Sequence, residues 1–92
     1  MSYTLVLSEE AARHLREWSK SGQKKTLKKI AVLFEELEQH PTTGTGQVEQ
    51  LKGDLAGLWS RRIDKGNRLI YRIEDEMVTV FVVSAKSHYD SK

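Results

Sequence analysis

The side chains that could do chemistry are concentrated in the second half of this 92-residue chain. Acids are scarce there, with Glu49, Asp54 and Asp64 as the acids between residues 47 and 73. A His-Tyr pair, His88-Tyr89, stands near the C-terminus. The same half carries a set of cations: Lys52, Arg61, Arg62, Lys65, Arg68 and Arg72. A carboxylate, arginines, a histidine and a tyrosine together could cleave RNA without a metal ion.

Cleavage of RNA at its own 2′-hydroxyl needs a base to remove that proton and an acid to protonate the leaving 5′-oxygen. Each contributes ~10²–10⁴-fold when it is well placed. Histidine suits the acid because its pKa lies near neutrality, and arginine binds a phosphate bidentately while staying protonated. Tyrosine can stack on a splayed base. The expected products are a 2′,3′-cyclic phosphate and a free 5′-hydroxyl.

Every one of these residues also has a purely structural explanation. A lone strand glutamate such as Glu49 usually faces solvent or forms a salt bridge, and strand arginines usually form the solvated face of a half-buried sheet. A histidine near a chain end is more often exposed than catalytic, and Trp59 is expected in the core. We assign no role to His14 and His40, which can pair with Glu10 and Glu36 at i,i+4. The residue types alone therefore leave the function open.

Two other kinds of site are excluded by spacing. The three histidines are too dispersed for a metal-ligand pattern, and the absence of cysteine excludes a thiolate zinc site and a cysteine nucleophile. Gly44-Thr45-Gly46 lacks the third glycine and the lysine of a phosphate-binding loop. We therefore expect no metal site and no phosphate-binding loop of this kind.

Length and composition predict a single globular domain over residues 1–92, with 38% hydrophobic and 30% charged residues. The N-terminus lacks the charged start and apolar run of a signal peptide, and no apolar stretch approaches the ~20 residues that span a membrane. The predicted location is the cytoplasm. The net charge of +2 is only weak evidence for a polyanionic partner.

Apolar spacing predicts a strand and two helices in the first half. The strand covers residues 3–7, and Ser8 is placed to cap a helix whose apolar stripe is Ala11, Leu15 and Trp18. A second helix runs from Lys24 to Gln39, before Pro41. Its lysines crowd the N-terminal half, where the helix dipole disfavours them. These lysines form either a solvated face of the helix or a surface along which a chain of phosphates binds.

Strand patterns fill the rest of the chain, over residues 47–51, 59–63, 68–73 and 78–84. The last run is apolar on both faces, which indicates a central strand. The predicted fold class is α+β, in the order β-α-α followed by a meander. Both helices should pack on one face of a mostly antiparallel sheet.

Four separated blocks of this sequence resemble the YoeB/Txe family of toxins, within the RelE-like superfamily. The first two are Val48-Glu49-Gln50-Leu51-Lys52 and Leu55-Ala56-Gly57-Leu58-Trp59-Ser60-Arg61-Arg62-Ile63. The other two are Asn67-Arg68-Leu69-Ile70-Tyr71-Arg72 and Ser84-Ala85-Lys86-Ser87-His88-Tyr89. Trp-Ser-Arg-Arg-Ile is the most specific piece, and the resemblance covers nearly the whole chain.

The resemblance implies a role for each matched position. The family's general base falls on Glu49, its phosphate-stabilising arginine on Arg68, and its terminal acid on His88, followed by Tyr89. Lys52 and Arg62 match basic positions that hold the RNA, and we assign Arg61 beside them to RNA binding as well. A departure is the tail Asp90-Ser91-Lys92, since close relatives commonly end at the His-Tyr pair.

The resemblance also implies partners. Members of the family cleave messenger RNA in the ribosomal A site without a cofactor, are often homodimers, and are inhibited by an antitoxin resembling YefM or Axe. Two alternatives stay open. The RelE-like fold also serves non-catalytic toxins that act on other targets, so the fold alone does not decide the activity. A plain RNA- or ribosome-binding protein could use the lysines of the second helix.

Overall fold

The computed structural model describes residues 2–84, so the predicted site residues His88 and Tyr89 lie outside the described part of the chain. The elements follow one another as a strand, two helices and four further strands. They are β1 (Thr4–Leu7), α1 (Glu9–Ser21), α2 (Lys24–Gln39), β2 (Glu49–Gln50), β3 (Leu58–Arg62), β4 (Arg68–Glu74) and β5 (Met77–Ser84). A 3₁₀ turn, Gly53–Leu55, connects β2 to β3. None of the helices among residues 2–84 is long and apolar enough to cross a membrane.

Helix α1 begins and ends where its sequence signals predicted. The Ser8 hydroxyl accepts a hydrogen bond from the Ala11 amide at 3.0 Å, and the acids of the first turn complement the helix dipole. Gly22 ends the helix in the left-handed conformation, at φ 76°, which glycine adopts without steric cost. Helix α2 has the predicted bounds, although no side chain caps its N-terminus.

The five strands form one mixed sheet in the order β1-β5-β4-β3-β2. Strands β2 to β5 pair antiparallel as the predicted meander, and β1 adds in parallel to β5. Strand β5 is therefore central, as its two apolar faces predicted. The α+β class is confirmed. Strand β2 is shorter than predicted because Gly46 and Gln47 have positive φ, so the chain is not extended there.

The two faces of the sheet bury very different amounts of side chain. One face packs against the helices around a core cluster: Ala11, Ile30, Leu33, Leu37, Ile63, Leu69, Tyr71, Val78, Val80 and Val83. The other face carries a small cluster of Leu51, Ile70 and Val82. We call these the helix face and the open face. Because strand side chains alternate, the residues on either side of Leu69 in β4 belong to the open face.

Candidate active site

The predicted site residues are divided between the two faces. Arg62 and Arg68 are directly opposite each other on β3 and β4, so both lie on the open face. Glu49 is opposite Ser60, which alternation places on the same face. Arg61, one position away from Arg62, points to the helix face. The fold thus brings Glu49, Arg62 and Arg68 together and separates Arg61 from them.

Ser60 links the predicted base to the predicted phosphate-binding arginine. It is 1% exposed, and Arg68 Nη1 donates to its hydroxyl at 3.2 Å. Its cross-strand partner is Glu49, and Cβ atoms of such partners lie roughly 4.5–5.5 Å apart. The exposed Glu49 carboxylate and the half-buried Arg68 guanidinium therefore flank one buried hydroxyl. Sequence reasoning missed Ser60, although its place inside Trp-Ser-Arg-Arg-Ile could have indicated it.

The segment before Glu49 makes an unusual turn. Gly46 has φ 92° and Gln47 has φ 53°, a conformation that a glutamine seldom adopts. The Gly46 carbonyl accepts the amide of Arg62, and a Cβ at Gly46 would lie 2.9 Å from the Arg62 carbonyl oxygen. Only glycine permits this approach. The loop is thereby fixed to β3 three residues before Glu49, and the adjoining Gln47 has the strained kind of backbone that clusters at functional sites.

The other predicted cations have different surroundings. Lys52 is exposed two residues after the end of β2, and its extended backbone precedes the 3₁₀ turn. Arg62 is exposed beside Lys29 and Lys65. Arg72 also lies on the open face, but its guanidinium sits 5.4 Å from the Phe81 ring centroid and 3.6 Å from Glu74. Arg72 is thus already held by neighbours, in keeping with its omission from the predicted site.

The assignment of Arg61 to RNA binding is contradicted by its burial. Arg61 is 0% exposed, and its guanidinium donates to five groups of the protein. These are the Tyr71 hydroxyl (3.2 Å), the Glu36 carboxylate (2.5 Å), and the backbone carbonyls of Thr45 (3.3 Å), His40 (2.9 Å) and Thr43 (2.7 Å). A guanidinium with all its donors engaged has none left for a phosphate. Arg61 instead holds the loop after α2 against the sheet.

Glu36 and Tyr71 complete the surroundings of Arg61, and sequence reasoning assigned neither of them a role. Burial alone would raise the pKa of the Glu36 carboxyl, but hydrogen bonds from Thr45 and Arg61 outweigh burial and lower this pKa below 4.5. Burial raises the pKa of the Tyr71 phenol, whose hydroxyl donates to the Pro41 carbonyl at 2.7 Å. We call Glu36, Arg61 and Tyr71 the buried arginine cluster.

The remaining histidines are structural in the described chain. His14 is buried, accepts the Val83 amide at Nδ1 (3.1 Å) and lies 3.7 Å from Glu10, so its predicted pairing is confirmed. His40 does not pair with Glu36 as predicted, because Arg61 and Thr45 bind that carboxylate. The His40 ring lies 2.9 Å from the Thr43 carbonyl instead.

Trp59 packs against the main core, as predicted. Within residues 2–84, no three acidic or histidine side chains form a group that could hold a metal ion. The expectations for His88 and Tyr89 fall outside the described residues and stay predictions.

A family model and individual relatives identify the same protein family for this chain. The family described as YoeB-like toxin of bacterial type II toxin-antitoxin system matches residues 7–89. Toxin YoeB from Streptomyces coelicolor is 43% identical over 72 residues, covering 78% of this chain and 82% of the relative.

Solved structures agree with this match. A YoeB/ParE toxin from Agrobacterium tumefaciens superposes with a TM-score of 0.83 at 30% identity, covering 88% of this chain and 95% of that one. YoeB from Staphylococcus aureus, solved as a dimer, gives 0.82 at 28% identity over 97% and 100% of the two chains. The same protein has also been solved in a heterotetrameric complex with YefM.

Proposed function

This chain belongs to the YoeB-like toxins of bacterial type II toxin–antitoxin systems, and from that premise we propose that it is an endoribonuclease that cleaves messenger RNA in the ribosomal A site. The observation that carries the proposal is the placement of Glu49 and Arg68 on either side of the buried Ser60 hydroxyl. An exposed carboxylate and a fixed guanidinium on one open surface are the two groups that a bound phosphodiester needs nearest to it.

In the proposed reaction the Glu49 carboxylate removes the proton from the 2′-hydroxyl beside the scissile phosphate. The 2′-oxygen then bonds to phosphorus, and the bond from phosphorus to the 5′-oxygen breaks. Arg68 stabilises the charge that develops on the phosphorane, and its hydrogen bond to Ser60 holds the guanidinium in place. Lys52 and Arg62 bind neighbouring phosphates. The family resemblance assigns the proton for the leaving 5′-oxygen to His88, with Tyr89 beside it, and none of these steps uses a metal or a cofactor.

The proposed partners follow the family. The Staphylococcus aureus relative forms a dimer and a heterotetramer with YefM. We therefore propose that this chain binds an antitoxin of the YefM kind and forms a homodimer. We also propose that it acts in the cytoplasm, where its ribosomal target is found.

The test is primer extension on a defined message, with and without translating ribosomes. Wild-type protein should produce cuts only on translated message, and Glu49→Gln should lower the cleavage rate by ~10²–10⁴-fold, because it removes the general base while conserving shape. The matched control is Glu35→Gln, an exposed glutamate of α2. Arrest of translation with intact message would overturn the proposal and favour a non-catalytic toxin. Equal cleavage by both variants would remove Glu49 from the mechanism.

A further inference from the structure

An open groove lies between α2, the loop before β2 and the end of β3. It has a volume of about 310 Å³. Its lining includes three cations, namely Lys29 of α2, Arg62 at the end of β3 and Lys65 in the turn after β3. The other lining residues are Gly46, Gln47, Ile63 and Asp64. The family resemblance assigned RNA contact to Arg62 among these residues, and it gave no role to Lys29 or Lys65.

The cations of this groove have no partner among residues 2–84. Neither Lys29, Arg62 nor Lys65 forms an ion pair or a side-chain hydrogen bond with another described residue. The acid in the lining, Asp64, has its carboxylate engaged by the Gly66 amide at 3.0 Å and by the Asn67 amide at 2.9 Å. With three cations and one carboxylate in its lining, the groove carries a net positive charge, which attracts anions.

The groove adjoins the candidate active site. Arg62 is the cross-strand partner of Arg68, so the groove begins directly across from the arginine that is proposed to bind the scissile phosphate. Gly46 lies against the Arg62 backbone, and its neighbour Gln47 also lines the groove. With a volume of about 310 Å³, the groove has room for a phosphate on the Arg62 guanidinium and for a second phosphate near Lys29 or Lys65.

We propose that this groove binds backbone phosphates of the message strand on one side of the cleaved linkage, with Lys29 and Lys65 as contacts in addition to Arg62. The inference rests on the proposed function, since it takes the bound strand to be the substrate. A strand already held at Arg68 presents its next phosphates to this groove, and a cationic groove binds phosphates without regard to base sequence. Message binding is therefore salt-dependent, and the salt dependence includes a contribution from Lys29 and Lys65.

The first experiment measures binding of a short 2′-O-methyl RNA, which lacks the attacking hydroxyl, by fluorescence anisotropy over a range of salt. The variant is Lys29→Gln/Lys65→Gln, and the matched control is Arg16→Gln/Lys20→Gln, which removes the same charge from exposed positions of α1 outside the groove. Each lost phosphate contact lowers the salt slope by ~0.7 for a single strand, so the variant should lose about 1.4. Its affinity deficit should then shrink about sevenfold between roughly 50 and 200 mM salt. A slope equal to that of the control would overturn the proposal.

The second experiment separates message phosphates from ribosomal RNA phosphates. Ribosomes are programmed with messages shortened on one side of the cut at a time, and the concentration of toxin for half-maximal cleavage is measured. On full-length messages the Lys29→Gln/Lys65→Gln variant should need a higher concentration than wild type for half-maximal cleavage. This deficit should disappear when the message is shortened on the side whose phosphates fill the groove. A deficit that persists for both series would place these lysines on ribosomal RNA and overturn the proposal.

The two proposals fail in different ways. Wild-type protein that cleaves message while Lys29→Gln/Lys65→Gln binds RNA like its control would refute the groove alone. Groove-dependent RNA binding by a wild-type protein that cleaves nothing would refute the proposed catalytic function alone.

Discussion

Arg61 and Arg62 are neighbours in β3, yet one is fully buried and the other is exposed. Strand alternation sends Arg61 to the helix face, where five protein groups accept its donors. Arg62 is directed to the open face, opposite Arg68 and at the edge of a cationic groove. The same side chain thus stabilises the fold at one position and is available to a ligand at the next.

The comparison shows that positive charge alone does not identify a phosphate-binding residue. A buried guanidinium is stable only when its donors are satisfied and its charge is paired, and both conditions remove it from ligand binding. An exposed guanidinium keeps its donors for a ligand. The helix face of this sheet therefore carries stability, and the open face carries the proposed chemistry.

The largest expected effect is on stability at Arg61. Arg61→Met should destabilise the fold by about 3–5 kcal/mol, because it leaves the Glu36 carboxylate without its paired cation and removes the contacts that hold the loop of residues 40–45. Arg62→Met, the matched control, should change the free energy of unfolding by at most about 0.5 kcal/mol. Urea unfolding of both variants measures the difference.

A second substitution sharpens this result. Glu36→Met in the Arg61→Met background removes the unpaired carboxylate and should recover part of the lost stability. If Arg61→Met costs no more than Arg62→Met, the structural role of Arg61 is wrong.

The next effect is on cleavage at Arg68. Arg68→Gln should slow single-turnover cleavage by ~10²–10³-fold, the usual loss when a donor to developing oxyanion charge is removed. The melting temperature should change little, since Arg68 is only half-buried. Arg72→Gln is the control, as Arg72 occupies the same face but lies against Phe81. Equal losses for the two variants would contradict a specific role for Arg68.

A smaller effect is expected at Tyr71. Tyr71→Phe removes the hydroxyl that donates to the Pro41 carbonyl and accepts from Arg61, leaving buried polar groups unsatisfied at a cost of ~1–3 kcal/mol. Tyr3→Phe serves as the control at a half-buried tyrosine. Thermal unfolding measures both variants. Equal melting temperatures would contradict a contribution of the Tyr71 hydroxyl to stability.

The smallest effect is a pH dependence from Glu36. Its carboxyl pKa is lower in the folded state than the ordinary 4.5, so the stability that it contributes is complete above that value. This stability is lost as the pH falls below 4.5 and through the folded pKa. Glu36→Gln should therefore flatten part of the stability loss as the pH falls below 4.5, whereas Glu35→Gln should leave it unchanged. Denaturant midpoints across that range measure the effect, and identical acid profiles for wild type and Glu36→Gln would contradict it.

Local signals predicted most of the architecture. The Ser8 cap, the apolar stripes and Pro41 predicted both helices. The apolar residues on both faces of β5 predicted that it lies inside the sheet. These features depend on residues close together in the sequence, where capping and periodicity act. The positive φ of Gln47, which shortens β2, could not be predicted in this way, because glutamine rarely adopts that conformation and nothing in the local sequence marks it.

The candidate site could be predicted only in part. Alternation could have separated Arg61 from Arg62, but the burial of Arg61 depends on acceptors from α2, the loop after it and β4. Those groups are 10 to 25 residues away in the sequence, so no local pattern reveals them. The hydrogen bond from Arg68 to Ser60 likewise depends on the register of β3 and β4.

The most direct test of the central claim is cleavage of ribosome-bound message that carries a single 2′-deoxynucleotide at the cut position. The open face is proposed to act through the 2′-hydroxyl that Glu49 deprotonates, so wild-type protein should leave this linkage intact and should cut the all-ribose message to a 2′,3′-cyclic phosphate. Cleavage of the deoxy linkage at the normal rate would contradict the account.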